Sequence, residues 1–375
     1  MQISETQSAK WFDVENTCET ESPSLIIYPD RIESNIREMI AIAGDRERLR
    51  PHVKTHKMPE VIRLQIKYGI KKVKCATIAE SEMAAEAGAD DILLAYQPVG
   101  PNVRRFISLQ KKFPAIKFSC IADCEATLKD LSACAGDSGS NIHVWLDINV
   151  GMNRTGTKPG AGAMELFRMI TMLPGLVPAG LHVYDGHIHE KDLERRVKIC
   201  DEAYAPVQLL LEKLHNMTGA TVKVVAGGTP TFPVHAKRDN VELSPGTTLL
   251  WDYGYGISFN DMNFLHAAVL FTRVVSKPSE NTICLDLGHK AVGSEMPQPR
   301  IKIIGMEDFR VTGHNEEHMV IETDDARKLS VGDHLYALPY HICPTVDRYD
   351  TVYVAEKNRV TGQWSVRARK RKITV

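Results

Sequence analysis

Cysteine is scarce: eight in 375 residues, at positions 18, 75, 120, 124, 134, 200, 284 and 343. No two form a CxxC pair, which excludes a disulfide-stapled scaffold or a zinc ribbon and leads us to expect reduced thiols in a cytoplasmic protein. Charge of one sign is lacking too. Lys+Arg number 46 and Asp+Glu 47, a net charge of −1, so no long-range field draws in nucleic acid or an anionic membrane. No apolar run reaches the roughly 18 residues of a membrane span. The opening segment MQISETQSAKWFD is too polar for a signal peptide. The sole basic cluster, Arg367, Arg369, Lys370, Arg371 and Lys372, reads as a solvated end. What is present is 43% hydrophobic and 25% charged residues, the balance of a folded chain. Its length suits two domains, or one large barrel with an addition.

Short apolar runs alternate with amphipathic segments from residue 49 to about 254. The runs at 49–54, 73–77, 91–96, 118–123, 142–148, 178–184, 222–227 and 247–252 are β-branched or leucine-rich and lack period-2 alternation, as buried parallel strands do. The intervening segments read as helices, with Gly69 and Gly88 as stops. Repetition of this β-α unit eight times predicts a (β/α)8 barrel, with a doubly wound open sheet as the competing fold. Lys54, Thr77, Tyr96, Asp123, Asn149, Tyr184, the Gly227-Gly228-Thr229 turn and Asp252 fall at strand C-terminal ends, which converge on the active mouth of a barrel. After about residue 260 strands follow one another without helices, which predicts a second, all-β domain. The early run 24–28 is expected to pair with it. The expected division is a barrel over 24–258 and a β-rich domain from 1–23 and 259–375.

Four constellations carry chemistry. In RPHVKTHK, residues 50–57, period 2 would set His52, Lys54 and His56 on one strand face. A lysine aimed into a barrel needs a partner or a task, and a desolvated amine nucleophile is one such task; a surface basic loop is the alternative. Gly227-Gly228-Thr229 after the seventh strand offers backbone N–H groups and a hydroxyl to a phosphate. The loop 150–156 carries Arg154 toward an anion or a ring nitrogen, unless it pairs with Asp147. In YHICPT, His341 and Cys343 lie two apart, on one face if the segment is extended, a borderline-soft pair suited to zinc; core packing is the alternative.

Together these motifs resemble the D-threonine aldolase and D-serine dehydratase family of pyridoxal-phosphate enzymes, with its alanine-racemase-like barrel (fold type III) and C-terminal β domain. The resemblance runs from residue 22 to the end of the chain. RPHVKTHK is its most specific element; the loop 150–156, Tyr184-Asp185-Gly186, Gly227-Gly228-Thr229 and HICPT follow in the family's order. It implies that Lys54 is the Schiff-base lysine and that His52 lines the site. Gly227, Gly228 and Thr229 would hold the cofactor phosphate, Arg154 would approach the pyridine nitrogen, and Tyr184 would contact the cofactor. His341 and Cys343 would bind a divalent metal (Zn, Mn or Mg) beside the cofactor, and His187 or His189 would act on the substrate hydroxyl. The implied activity is a lyase reaction on β-hydroxy D-amino acids. Retro-aldol cleavage of D-threonine is preferred and D-serine dehydration is the alternative, since the chain has HxC where aldolases tend to have HxD. A racemase-type function has no use for the metal. A non-catalytic pyridoxal-phosphate-binding protein is the reading from another class. The resemblance also implies a homodimer, with no nucleic-acid or membrane partner.

Overall fold

The computed structural model describes residues 11–375; the first ten residues of the stretch 1–23 lie outside them. Two compact units are present: one of residues 36–54, 58–246 and 368–375, the other of 11–35, 55–57 and 247–367. Among the described residues, no helix is long and apolar enough to cross a membrane.

The first unit is a parallel barrel. Strands Lys72–Cys75, Asp91–Leu94, Lys117–Ala122, Ile142–Ile148, Leu176–Val183, Val224–Ala226 and Val241–Leu243 lie side by side in chain order. Their near-continuous burial explains the missing alternation: helices cover the outer face and side chains fill the inner one. Leu93, Ile121, Trp145 and Val225 form a packed cluster in this unit. The eighth place is held by a short irregular staple. Leu49 bridges Leu243 and His52 bridges Lys74, both in parallel sense. Arg50 N–H donates to the Leu243 carbonyl (2.8 Å), His52 N–H to Pro245 (2.8 Å) and Lys74 N–H to Pro51 (2.9 Å).

This corrects two expected strands. Residues 49–54 are no regular strand, because Pro51 offers no N–H to a ladder and Val53–Thr55 coils into a 3-10 turn. His52, Lys54 and His56 therefore do not share a strand face. The last barrel strand is Val241–Leu243, and 247–249 is a 3-10 turn instead. A strand of three residues is too short to show a period, so the longer apolar run after Pro245 outweighs it in the sequence.

Helix punctuation follows the sequence. Thr77 caps Ile78–Ala87, its Oγ1 accepting from Glu80 N–H (3.0 Å), and Gly88 ends the helix at φ +98°. Asp192 caps Leu193–Thr218 in the same way, with a 2.9 Å bond from Arg195 N–H. The basic side chains Arg367, Arg369, Lys370, Arg371 and Lys372 are exposed, as expected, while the residues after them are tied down. Thr374 N–H donates to buried Glu82 (3.1 Å), and Arg105 holds the Val375 carbonyl (2.9 Å).

The second unit is built on a nine-stranded sheet. Its long strand Ala268–Ser279 pairs with Ser24–Ile27, Thr282–Leu285 and His334–Pro339. The early strand thus joins the late ones, as its sequence position predicts, antiparallel to Ala268–Ser279 and parallel to Thr351–Glu356. Ile26, Val269, Phe271, Tyr336 and Leu338 pack as its core. The sequence reading gave no strand at Arg310–His314, Thr351–Glu356 or Arg359–Ser365; in the first and last, mostly polar side chains leave no apolar face to mark them.

Candidate active site

Tyr184 organises the mouth of the barrel unit. It follows strand Leu176–Val183, and three cations surround its ring. Lys54 Nζ lies 5.7 Å, Lys74 Nζ 5.3 Å and the Arg154 guanidinium carbon 5.1 Å from the centroid. Such distances suit cation–π attraction, but a ring does not neutralise the charge that three basic groups can carry. Among the described residues, none of these three cations has an ion-pair partner. Basic groups gathered around an aromatic ring have the chemistry to receive an anionic, aromatic ligand.

Local structure sets each side chain. Lys54 sits in the 3-10 turn after the staple, and its N–H donates to His52 Nδ1 (3.3 Å), so buried His52 orients the lysine backbone. Arg154 rides on a loop folded around Asn149, whose Oδ1 accepts from Gly151 N–H (3.0 Å) and Asn153 N–H (3.1 Å). Asp123 fixes the far end of the loop through Gly156 N–H (2.9 Å). The Arg154–Asp147 pair considered from sequence does not form. Asp147 bonds buried His182 instead (2.7 Å). Burial opposes the Asp147 charge, but His182 outweighs it and holds the carboxyl below its usual range.

The Gly227-Gly228-Thr229 turn abuts Tyr184: a Cβ on Gly228 would stand 3.0 Å from Tyr184 Cε2. Its first two amides are engaged, Gly227 N–H by the Val183 carbonyl (2.9 Å) and Gly228 N–H by Thr231 Oγ1 (3.2 Å). Thr231 donates to Asp185 (2.7 Å), and Asp185 also bonds His235 Nε2 (2.8 Å). Thr229 Oγ1 accepts from Gly246 N–H (3.1 Å). The turn is therefore braced from below, and Gly227, at φ +76° with a Cβ that would stand 2.8 Å from His235 Cδ2, is the position that demands glycine.

Asp185, Cys200 and His235 are near enough together to be considered as metal donors. Their hydrogen bonds argue for a structural network. Arg238 Nε donates to His235 Nδ1 (3.3 Å), so the ring proton stands on Nε2 and points at Asp185. That removes the lone pair a metal needs, and burial pushes the Cys200 thiol up to about 12.

His187 and His189 are exposed, so neither is a core residue. The His187 ring lies against Gly151, where a Cβ would stand 3.0 Å from Nε2, which puts it beside the Arg154 loop. Among the described residues, no hydrogen bond, ion pair or ring contact joins His189 to the Tyr184 cluster. In the other unit, His341 is not part of an extended segment: it caps the short helix Ile342–Val346, which contains Cys343. The two side chains are nevertheless hydrogen-bonded. Glu295 bonds His341 Nδ1 (2.6 Å), and Thr55 Oγ1 lies 3.2 Å from Cys343 Sγ. A carboxylate behind an imidazole is the outer-shell pattern of metal-binding histidines. Burial works against the His341 charge, but Cys343, Asp252 and Glu295 outweigh it and raise the imidazole to about 9.

Lys74, the Asp147–His182 pair, the Asp185 network and Glu295 were missed in the sequence. Lys74 carried a signal, since it interrupts a buried run just as Lys54 does. The other partners meet only through folding.

Residues 27–249 match the family described as "Alanine racemase, N-terminal domain", and 267–355 match that described as "Putative serine dehydratase domain". The D-threonine aldolase of Arthrobacter sp. is 28% identical over 355 residues, 93% of each chain. The D-threo-3-hydroxyaspartate dehydratase of Delftia sp. is 25% identical, over 87% of this chain and 91% of its own. The crystal structure of D-threonine aldolase from Filomicrobium marinum superposes with a TM-score of 0.87 at 26% identity, covering 94% of this chain and 97% of that one.

Proposed function

Because the chain belongs to the alanine racemase N-terminal domain family, we propose that it is a pyridoxal-phosphate-dependent lyase acting on β-hydroxy D-amino acids, with aldolase cleavage as its reaction. Family membership implies the cofactor, and the barrel residues fit it. The observation that carries the reading is the Lys54 amine, half-buried at the Tyr184 ring with no carboxylate paired to it among the described residues. A carbonyl-binding lysine must be unpaired, and of the two unpaired lysines at this ring Lys54 is the one that lies in the family's RPHVKTHK motif.

In this reading Lys54 holds the cofactor covalently, with His52 fixing its backbone. Arg154 would approach the pyridine ring, Tyr184 would contact the cofactor, and the Gly227-Gly228-Thr229 turn would receive the phosphate. Bound cofactor supplies an electron sink for charge developing at the substrate Cα. The donors we assign to a divalent ion are His341 and Cys343, with Glu295 orienting the imidazole. Such an ion would lower the pKa of a hydroxyl. In cleavage, a base must remove the β-hydroxyl proton, a role for His187 or for His189, and the Cα–Cβ bond breaks. The second reading, dehydration, needs Lys54 to take the Cα proton before hydroxide leaves. The His-x-Cys donor pair and the Delftia relative favour it.

Product identification from a panel of D-amino acids separates the two. D-Threonine should yield glycine and acetaldehyde. Pyruvate from D-serine, with no glycine from D-threonine, would establish dehydration instead. Borohydride reduction and peptide mapping should place a pyridoxyl adduct on Lys54. An adduct elsewhere would overturn the site, and a Lys54 adduct without turnover on any D-amino acid would mark a cofactor-binding protein.

A further inference from the structure

Lys74 has no place in the mechanism above, and it is the least economical residue in the barrel. Strand Lys72–Cys75 sets Lys72 and Lys74 on one face by alternation. Lys72, at the strand start, reaches Glu242 at 3.0 Å. Lys74 lies deeper, 2% exposed, and among the described residues its ammonium makes no hydrogen bond or ion pair. A methionine would fill the same volume without desolvating an amine.

Its surroundings are fully assigned. Lys54 and Arg154 share the Tyr184 ring with it. The charges acting on it are those of Lys54, Asp185, Asp147 and Arg50, and it acts in turn on His182. Both carboxylates bond other groups, Asp147 Oδ1 to His182 (2.7 Å) and Asp185 to His235 (2.8 Å), while Asp147 Oδ2 is buried, has no hydrogen bond among the described residues and acts on Lys74 through its charge alone. Arg50 is held by Asp91 and Glu242. His182 Nε2 is buried and has no partner. The cluster therefore holds more cationic groups than anionic ones to meet them, with an unpartnered imidazole nitrogen beside them.

We propose that Lys74 is a proton-accepting positioning residue: when an anionic pyridine ligand enters the barrel mouth, Lys74 Nζ takes up a proton from solvent and the ammonium so formed compensates the ligand's charge. This rests on the reading of the mouth as the pyridoxal-phosphate site. Burial, with Lys54 adding to it, lowers Lys74 to about 7 against the partial relief of Asp185 and Asp147. The ligand-free protein thus holds it largely as the amine above neutrality, and an arriving phosphate or ring oxygen reverses the balance. The device spares the protein a third permanent charge at the ring while no anion is bound, and gives it a cation when one is.

The test is calorimetric and independent of turnover. The probe is 4′-deoxypyridoxine 5′-phosphate, which has no aldehyde and cannot bond to Lys54. Titration of cofactor-free protein at pH ~7.5, in buffers of different ionisation enthalpy, measures protons exchanged on binding. With a Lys74 value of about 7, the wild-type protein should take up about 0.8 protons more than Lys74→Met. Wild-type affinity should weaken as pH rises through 7 to 9, while Lys74→Arg, charged throughout, should bind without that extra uptake and without that slope. If Lys74→Met does not fold, the Lys74→Arg comparison decides alone. Equal proton uptake in wild type and the variants would overturn the role of Lys74 while leaving the site standing. No binding to the wild-type protein would overturn the site reading and this proposal together.

Discussion

Replacing Arg50 by methionine removes the cation that ties the closing staple to both neighbouring parts of the barrel. Arg50 is 1% exposed, with Asp91 at 2.8 Å and Glu242 at 2.6 Å. Burial opposes its charge, but the two carboxylates outweigh it and hold the guanidinium above its ordinary range. Removing one member of such a buried group costs about 3–5 kcal/mol, chiefly because charges are left without a partner. Here two lysines remain: Lys72 at 3.0 Å from Glu242 and Lys117 at 3.7 Å from Asp91. They put the expectation at the lower end, about 3 kcal/mol. Urea unfolding followed by two probes measures it, since a chain of two units need not unfold in one step. Adding Asp91→Asn and Glu242→Gln to the methionine variant should recover more than half of the loss, because the uncompensated charges disappear. Cofactor binding should weaken in the single variant, as the staple leads directly into Lys54. A loss below about 1 kcal/mol would refute the reasoning: the carboxylates would then be hydrated and the staple held by its backbone bonds alone.

Gly186→Ala would drive a Cβ into the Tyr184 ring at Cε1, Cζ and Oη; since the ring can swing outward, stability should barely change while cofactor affinity falls at least tenfold, about 1.4 kcal/mol, and unchanged affinity in a titration would show that Tyr184 is no part of the site. Stability should also fall in acid: burial disfavours the Asp91 and Glu242 charges, but Arg50 outweighs it and holds both below the ordinary carboxylate range. Their contribution is therefore complete above about pH 4–5 and lost as pH drops through the depressed folded values, and unfolding free energies across that window should show a shallower slope in Arg50→Met. Chelation should abolish lyase turnover without releasing cofactor, and Glu295→Gln should weaken metal affinity about 10–100-fold; full activity after exhaustive metal removal would exclude a metal role for His341 and Cys343.

Much of the barrel was legible because its physics is local. Buried parallel strands must be apolar without alternation, and helices between them must start at caps such as Thr77 and Asp192 and stop at glycines such as Gly88. The order of motifs carried the family, and Lys54 in RPHVKTHK marked the mouth. The failures share one cause. Residues 49–54 and 241–243 are too short and too irregular to show a period, and only the ring of neighbours reveals that one closes the barrel and the other is its last strand. Likewise, sequence spacing placed His341 and Cys343 on an extended face, yet a helix cap is what joins them.

The amino-acid sequence by itself determined the elements, their alternation, and which side chains could do chemistry, since propensity, period and capping act over a few residues. Tertiary structure decided the pairing of charges. Asp147 chose His182 over Arg154, Asp185 took Thr231 and His235, and Lys74 was left unpaired beside Lys54 at the Tyr184 ring. Coulomb energies and desolvation depend on distances between strands far apart in the chain and on what the closed barrel excludes from water; no spacing along the sequence encodes them.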